Sequence, residues 1–271
     1  RNFSKLLTFN QSCFMPDKPR SKINSRYYIF FSAISIPFFL FIWELAARAE
    51  GSNMVLFPPP TLVVEGMTRW IESGDFVIDL WTSVRRVVVG FLLGSSVGVI
   101  MGVLTGRVQL ISSFLSPVFH ILRPIPPIAF IPIVILWFGL SETGKLFLIF
   151  WGVYFMVWIS THLAVQNVDK GLIRAAQALG TPEHLMLKEV IFFGALPVIF
   201  VGLRTSVGIS FYTLVAAELA GTVAGVFFRI DIAQQNLQTG QVLGGLLVLG
   251  TMSFAADRAF SALAKKLVWW R

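Results

Sequence analysis

The stretch Val84-Arg-Arg-Val-Val-Val-Gly90-Phe-Leu-Leu-Gly94-Ser-Ser-Val-Gly98-Val-Ile-Met-Gly102-Val-Leu-Thr-Gly106 decides the fold. Its charges stand at one end, and everything after Arg86 is apolar or small for long enough to cross a hydrocarbon core about 30 Å thick, which takes about 20 helical residues. Five further runs meet the same test, so the six predicted spans are 27–47, 84–106, 114–138, 146–165, 195–220 and 241–263. Composition agrees: 55% of the 271 residues are hydrophobic and 13% charged, where a soluble protein carries about 25% charged. The expected fold is an all-α membrane protein of six transmembrane helices, a single domain over 27–265. No soluble domain, linker or internal repeat is evident.

Lysine and arginine orient the chain. With the N-terminus inside, the inner side holds Arg1, Lys5, Lys18, Arg20, Lys22, Arg26, Arg107, Lys170, Arg174, Lys188, Lys265, Lys266 and Arg271. The outer side holds Arg48, Arg69, Arg85, Arg86, Lys145 and Arg229. Thirteen against six puts the segment 1–26 and the tail 266–271 in the cytoplasm. Arg123, Arg204 and Arg258 remain within spans. The net charge of +8 therefore belongs to loops that face anionic lipid, not to nucleic-acid binding. The outer segment 48–83 is expected to carry a short surface helix after Phe57-Pro-Pro-Pro60. The run 27–47 is read as a retained helix, because no small-residue cleavage site follows it. The sequence opens on Arg1, which leaves its true start open. Cys13 is the single cysteine, so disulfide scaffolds, zinc modules and haem attachment are set aside.

Three features stand out within the spans. Gly90, Gly94, Gly98 and Gly102, with Gly106 beyond, recur every fourth residue and leave a flat stripe for close helix packing or a moving contact. Each step of four turns about 40° round the axis, so one straight partner is not expected to serve the whole stripe. Pro117, Pro124, Pro126, Pro127 and Pro132 crowd the third span and are expected to break it. Freed carbonyls at that depth need protein or a water-filled cavity around them. Arg123 adjoins Pro124, with His120 one turn earlier. Two readings stand for Arg123: part of a binding site or gate in a broken helix, or a side chain that snorkels or pairs structurally. In the fifth span Arg204 and Glu218 lie about 21 Å apart along a helix, too far to pair. Thr205, Ser206, Ser210, Tyr212 and Thr213 could bind a polar solute or hold helices together. His120, Arg123, Pro124, Pro127, Arg204, Tyr212, Thr213 and Glu218 form the candidate pathway or gate. No residues suggest catalysis or a metal site.

Gly139-Leu-Ser-Glu-Thr-Gly144-Lys145-Leu146 imitates a phosphate-binding loop, but Leu146 stands where a magnesium-binding hydroxyl belongs and no strand precedes it. The longest inner loop, within 166–194, reads Asp169-Lys-Gly-Leu-Ile-Arg174-Ala-Ala176-Gln-Ala-Leu-Gly180-Thr-Pro182-Glu183-His-Leu-Met-Leu-Lys-Glu-Val190. Leu172, Ile173, Ala176 and Leu179 recur at helical spacing, Gly180 can end that helix, and Thr181-Pro182 can open another carrying Leu185, Met186 and Val190. Two short amphipathic helices joined by a turn make a docking knob for a groove on another protein.

This loop resembles the shared motif of membrane subunits of ABC-type importers that work with a solute-binding protein. That motif reads Glu-Ala-Ala, three residues, Gly, nine residues, then Ile-x-Leu-Pro. Here Arg174 replaces the Glu and Phe193 the Pro; Pro197 is expected to supply the bend. Leu122-Arg-Pro-Ile-Pro-Pro-Ile-Ala-Phe-Ile-Pro132, Leu136-Trp-Phe-Gly139, Gly202-Leu-Arg204 and Val215-Ala-Ala-Glu218 resemble the branch importing taurine, alkanesulfonates, nitrate and bicarbonate, and most its taurine and sulfonate permeases. The resemblance implies a bacterial inner-membrane permease that pairs with a second copy, two ATPase subunits and an extracytoplasmic solute-binding protein. It makes Arg174, Ala175, Ala176, Gly180, Glu183 and Val190 coupling residues. ATP and magnesium would be held by the partner ATPase, with no cofactor in this chain. Arg123 and Arg204 are the candidate contacts for an anionic solute, favouring a sulfonate over nitrate, bicarbonate or a neutral heterocycle. Their partner could equally be Glu44, Glu218 or Asp257. An ion-driven secondary transporter leaves the loop unexplained, and a membrane protease lacks its nucleophile.

Overall fold

The computed structural model describes residues 25–49 and 55–267. Most of the expected N-terminal segment, Cys13 included, and residues 268–271 of the tail lie outside them. Every regular element among the described residues is helical. Two compact units divide at Ser52. The first contains α1 (Ser25–Ala47), at the place of the first predicted span. The second contains α2 (Pro60–Glu72), α3 (Asp75–Arg107), α4 (Gln109–Leu122), a 3-10 turn Pro127–Phe130 leading into α5 (Ile131–Phe138), α6 (Glu142–Gln166), α7 (Lys170–Ala178), α8 (Glu183–Leu219), α9 (Val226–Gln235) and α10 (Thr239–Leu267).

Among the described residues α3, α6, α8 and α10 are long and apolar enough to cross a membrane. α4 and the Pro127–Phe138 helix make a fifth span if counted together. Those two meet at 87°, so the proline-rich stretch is a bend between two helices. The physical cause is local: Pro124, Pro126 and Pro127 donate no backbone hydrogen bond, and Pro126 sits extended at φ −63°, ψ 137°.

The core is α3, α6 and α8. The glycine stripe packs on α6 alone: added Cβ atoms at Gly90, Gly94, Gly98, Gly102 and Gly106 would stand 2.6, 2.9, 2.9, 2.4 and 2.8 Å from the side chain of Ile149, the Phe150 carbonyl, and the side chains of Val157, Thr161 and Val165. One helix meets the whole stripe, and it does so by coiling with it and not as a straight partner. α6 presents contacts at the same four-residue step, so the stripes wind round each other, and a period longer than 3.6 favours right-handed coiling. Gly152 against Thr213 and Gly202 against Ser160 bring α6 equally close to α8.

Three further boundaries differ from the sequence reading. α3 begins at Asp75, so part of the predicted outer segment is helix continuous with the span. α9 lies in a connection read as loop. The second loop helix does not end before the fifth span: it enters α8 through a π-turn at Met186–Phe192. Phe193, unlike proline, keeps its N–H, and the chain stays helical through it.

Candidate functional site

The bend between α4 and α5 faces α6 and α8 across a cavity of about 460 Å³, lined by Arg123 to Pro127, by Trp151, Gly152, Phe155 and Met156, and by Ile209, Tyr212 and Thr213. Of the predicted pathway residues, Arg123, Pro124, Pro127, Tyr212 and Thr213 come together here. Gly152 gives the cavity part of its floor because a larger residue would strike Thr213. Arg123 caps α4, its N–H donating to the Phe119 carbonyl at 2.9 Å. Its guanidinium is exposed and has no ion-pair partner among the described residues. The indole N–H of Trp151 is buried without an acceptor. Phe130, Phe147 and Phe155 hold that indole with ring centres 4.4, 5.7 and 4.9 Å away. The cavity therefore offers an exposed cation beside an aromatic wall, which suits an anion carrying some apolar surface.

Arg204, His120 and Glu218 lie elsewhere. Arg204 is exposed and makes a forked pair with Asp257 of α10, at 2.8 and 2.9 Å. Among the three carboxylates named above, Asp257 is its partner; Glu44 pairs with Arg48. His120 lies outside the cavity lining, its ring 5.4 Å from that of Trp158. The hydroxyls of Thr205, Ser206, Ser210 and Thr213 donate to carbonyls of α8 itself. Those four bonds satisfy the helix and join no second one.

Glu218 belongs to a buried polar cluster at the end of the bundle away from α7. Arg86 uses all five guanidinium donor positions: on both oxygens of Glu142, on Glu218, on Thr222 and on the Ala224 carbonyl, at 2.6–3.0 Å. Asp79 accepts from Trp70, Arg229 and the Gly225 N–H. Ser83 accepts from the Val226 N–H and donates to Glu218, which accepts from the Phe227 N–H. Three successive backbone donors at the start of α9 are thus held by side chains of α3 and α8, as an uncapped helix N-terminus requires. Gly225, at φ 141°, is forced by this closeness, since a Cβ there would stand 2.4 Å from Glu218 Oε1. Arg86, Asp79, Ser83, Glu142 and Trp151 are not singled out by sequence. The available signal is the acids Asp75, Asp79 and Glu142 near span ends that also carry Arg85 and Arg86.

At the opposite end, Asp169 caps α7 by accepting from the Gly171 N–H at 2.7 Å. Gly180 stands at φ 71°. The Gly180 N–H reaches the Gln177 carbonyl and the Thr181 N–H the Ala176 carbonyl, the paired closure that a left-handed residue permits. Ala176 turns inward, whereas Arg174 and Ala175 are exposed; Leu179 is 85% and Leu172 54% exposed. Glu183 pairs with Arg107 at the end of α3, 3.2 Å away. Val190 and Met186 pack inward on Val168 and Ile191, so they seat the loop on the bundle.

Residues 94–269 match the family described as binding-protein-dependent transport system inner membrane component. A putative aliphatic sulfonates transport permease of Bacillus subtilis is 34% identical over 85% of this chain and 83% of its own. The taurine transport system permease of Escherichia coli is 32% identical over 85% and 86%. A nitrate import permease of Synechocystis is 29% identical over 93% and 95%. Among solved structures, an amino acid ABC transporter with histidines superposes with TM-score 0.60 at 16% identity, covering 76% of this chain and 98% of that one. The MetNI methionine ABC transporter does so with 0.55 at 19%, covering 70% and 97%. Both share the fold.

Proposed function

The chain belongs to the family of inner-membrane components of binding-protein-dependent transport systems, and from that premise we propose that it forms the pathway of an importer for a small organic anion, a sulfonate such as taurine before nitrate or bicarbonate. A second copy completes the pathway. A solute-binding protein delivers the anion on the side of α2 and α9, and two ATPase subunits seat the α7 loop. ATP and magnesium are held by those subunits, and this chain contributes no cofactor. The thirteen cations assigned to one side support a cytoplasmic placement of that loop and both termini.

The observation that carries the solute reading is Arg123, a cation with no ion-pair partner among the described residues, on a cavity of about 460 Å³, a volume in the range of small-molecule sites. The aromatic and methionine lining supports an anion with a carbon skeleton. For docking, the support is Leu179 and Leu172 exposed on a capped helix. Arg204, neutralised by Asp257, is the weaker candidate for solute contact.

The test is ATP-driven uptake of labelled taurine by the complete transporter in vesicles, with other sulfonates and nitrate as competitors. Arg123→Ala should lower uptake about 10- to 100-fold, the worth of a hydrogen bond to a charge, while assembly with the ATPase is retained. Unchanged uptake by that variant would overturn the assignment, as would better competition by nitrate than by any sulfonate.

A further inference from the structure

Away from the Arg123 cavity, α8 and α10 form an open pocket of about 220 Å³ lined by Pro197, Phe200, Val201, Arg204, Ser261, Ala264 and Lys265. Its chemistry is sharply divided. Pro197, Phe200, Val201 and Ala264 make an apolar wall. Asp257 neutralises Arg204, but Lys265 has no ion-pair partner among the described residues, and the Ser261 hydroxyl is buried without a hydrogen bond. A buried hydroxyl without a partner costs about 1–3 kcal/mol, so a ligand oxygen at that point has something to satisfy. A further cavity of about 420 Å³ shares Val201 and Arg204 and continues along α8 past Thr205 to Gly208, with Asp257 at its side. A Cβ at Gly208 would meet nothing within 4 Å, so the groove beside that residue is open.

We infer that this pair of cavities binds one anionic phospholipid, its phosphate at Lys265 and Ser261 and an acyl chain laid along Val201, Thr205 and Gly208. Three observations converge on a lipid over a soluble phosphate. The pocket lies in the last two turns of α10, which carry Lys265 and Lys266, the basic residues expected at a membrane–water boundary. The second cavity extends along α8 past Val201 to Gly208, where a ligand with a chain gains contact that inorganic phosphate cannot. The single uncompensated charge is positive, matching a headgroup phosphate. The assignment rests on the membrane reading of the chain and not on the identity of the transported solute.

The experiment uses the intact transporter with its ATPase subunits, in nanodiscs made from equal parts of phosphatidylglycerol and phosphatidylcholine. Lipid retained after gentle release is identified by native mass spectrometry. The wild type should keep phosphatidylglycerol over phosphatidylcholine by about fivefold, one lysine's worth of attraction near a charged surface. Lys265→Gln and Ser261→Val should each bring the two lipids close to parity, with the complex still assembled. Equal retention by wild type and Lys265→Gln would overturn the site, as would loss of the bound lipid to inorganic phosphate alone. Ser261→Cys separates out the remaining occupant: a disulfide formed between two copies would show that a second chain covers the pocket, and its absence supports the lipid. Retention is read without transport, so failure of the solute assignment leaves this result standing.

Discussion

Arg86 of α3 reaches Glu218 of α8 with 3.0 Å between Nη1 and Oε1, and their side chains are 3% and 0% exposed. A buried pair of this kind adds little net stability over an apolar replacement, but breaking it strands a charge at a cost of about 3–5 kcal/mol. Arg86→Met should therefore lower the unfolding temperature of the purified protein sharply. Arg86→Met with Glu218→Gln should recover part of the loss. Arg86→Lys should rescue poorly, because an ammonium cannot reproduce five forked donors. Thermal unfolding followed by tryptophan fluorescence reads all three, and equal stability of Arg86→Met and wild type would remove the structural role.

The glycine stripe predicts an asymmetry between glycines. Gly98→Leu drives side-chain atoms into Val157 and the Tyr154 carbonyl, from which even a Cβ would be 2.9 and 3.0 Å away. It should abolish accumulation of folded protein, overpacking costing about 1–3 kcal/mol or more. Gly250→Ala, where a Cβ meets nothing within 4 Å, should accumulate normally. Membrane yield and monodispersity on gel filtration decide it.

At the loop, Gly180→Ala places a side chain at φ 71°, a conformation costing an L-residue about 1–2 kcal/mol. α7 then loses its closure while the bundle is untouched. Uptake per ATP hydrolysed should fall severalfold with normal insertion. Leu179→Asp puts a charge on the most exposed apolar side chain of the loop and should release the ATPase subunit on tagged purification. An ATPase that stays bound to Leu179→Asp would place the docking contact elsewhere.

Trp151→Phe tests the aromatic wall separately from the charge. It removes the indole N–H and keeps the ring packing against Phe130 and Phe155. If that N–H meets the solute, the uptake KM should rise about three- to tenfold with little change in maximal rate, the worth of roughly one neutral hydrogen bond. An unchanged KM would confine solute recognition to Arg123 and Tyr212.

The apolar runs of α3, α6, α8 and α10, the proline break and the Gly180 closure were all legible in the residues, because each depends on neighbours within a few positions. The polar cluster was not. Arg86 and Glu218 are 132 residues apart, and nothing local distinguishes an arginine that snorkels from one that five acceptors surround. Arg123 and Tyr212 were both visible as unusual, yet only the 87° bend brings them to one cavity. The partner of Arg204 stood undecided among three acids until α8 and α10 were packed. α9 escaped notice because its N-terminal donors are satisfied by Asp79, Ser83 and Glu218 from other helices, with no capping residue of its own to announce it.

The π-turn at Met186–Phe192 has a rotational meaning. It lies between the exposed loop and every side chain that α8 lends to the three cavities. Rewinding that turn as ordinary α-helix with the same residues would rotate everything beyond Phe192 by about 100° and lengthen the helix by about 1.5 Å. Arg204, Tyr212 and Thr213 would then sweep round the axis together. The phase between the face that meets a partner and the faces that meet small molecules is set within those seven residues, as a key's bow sets the angle of its teeth.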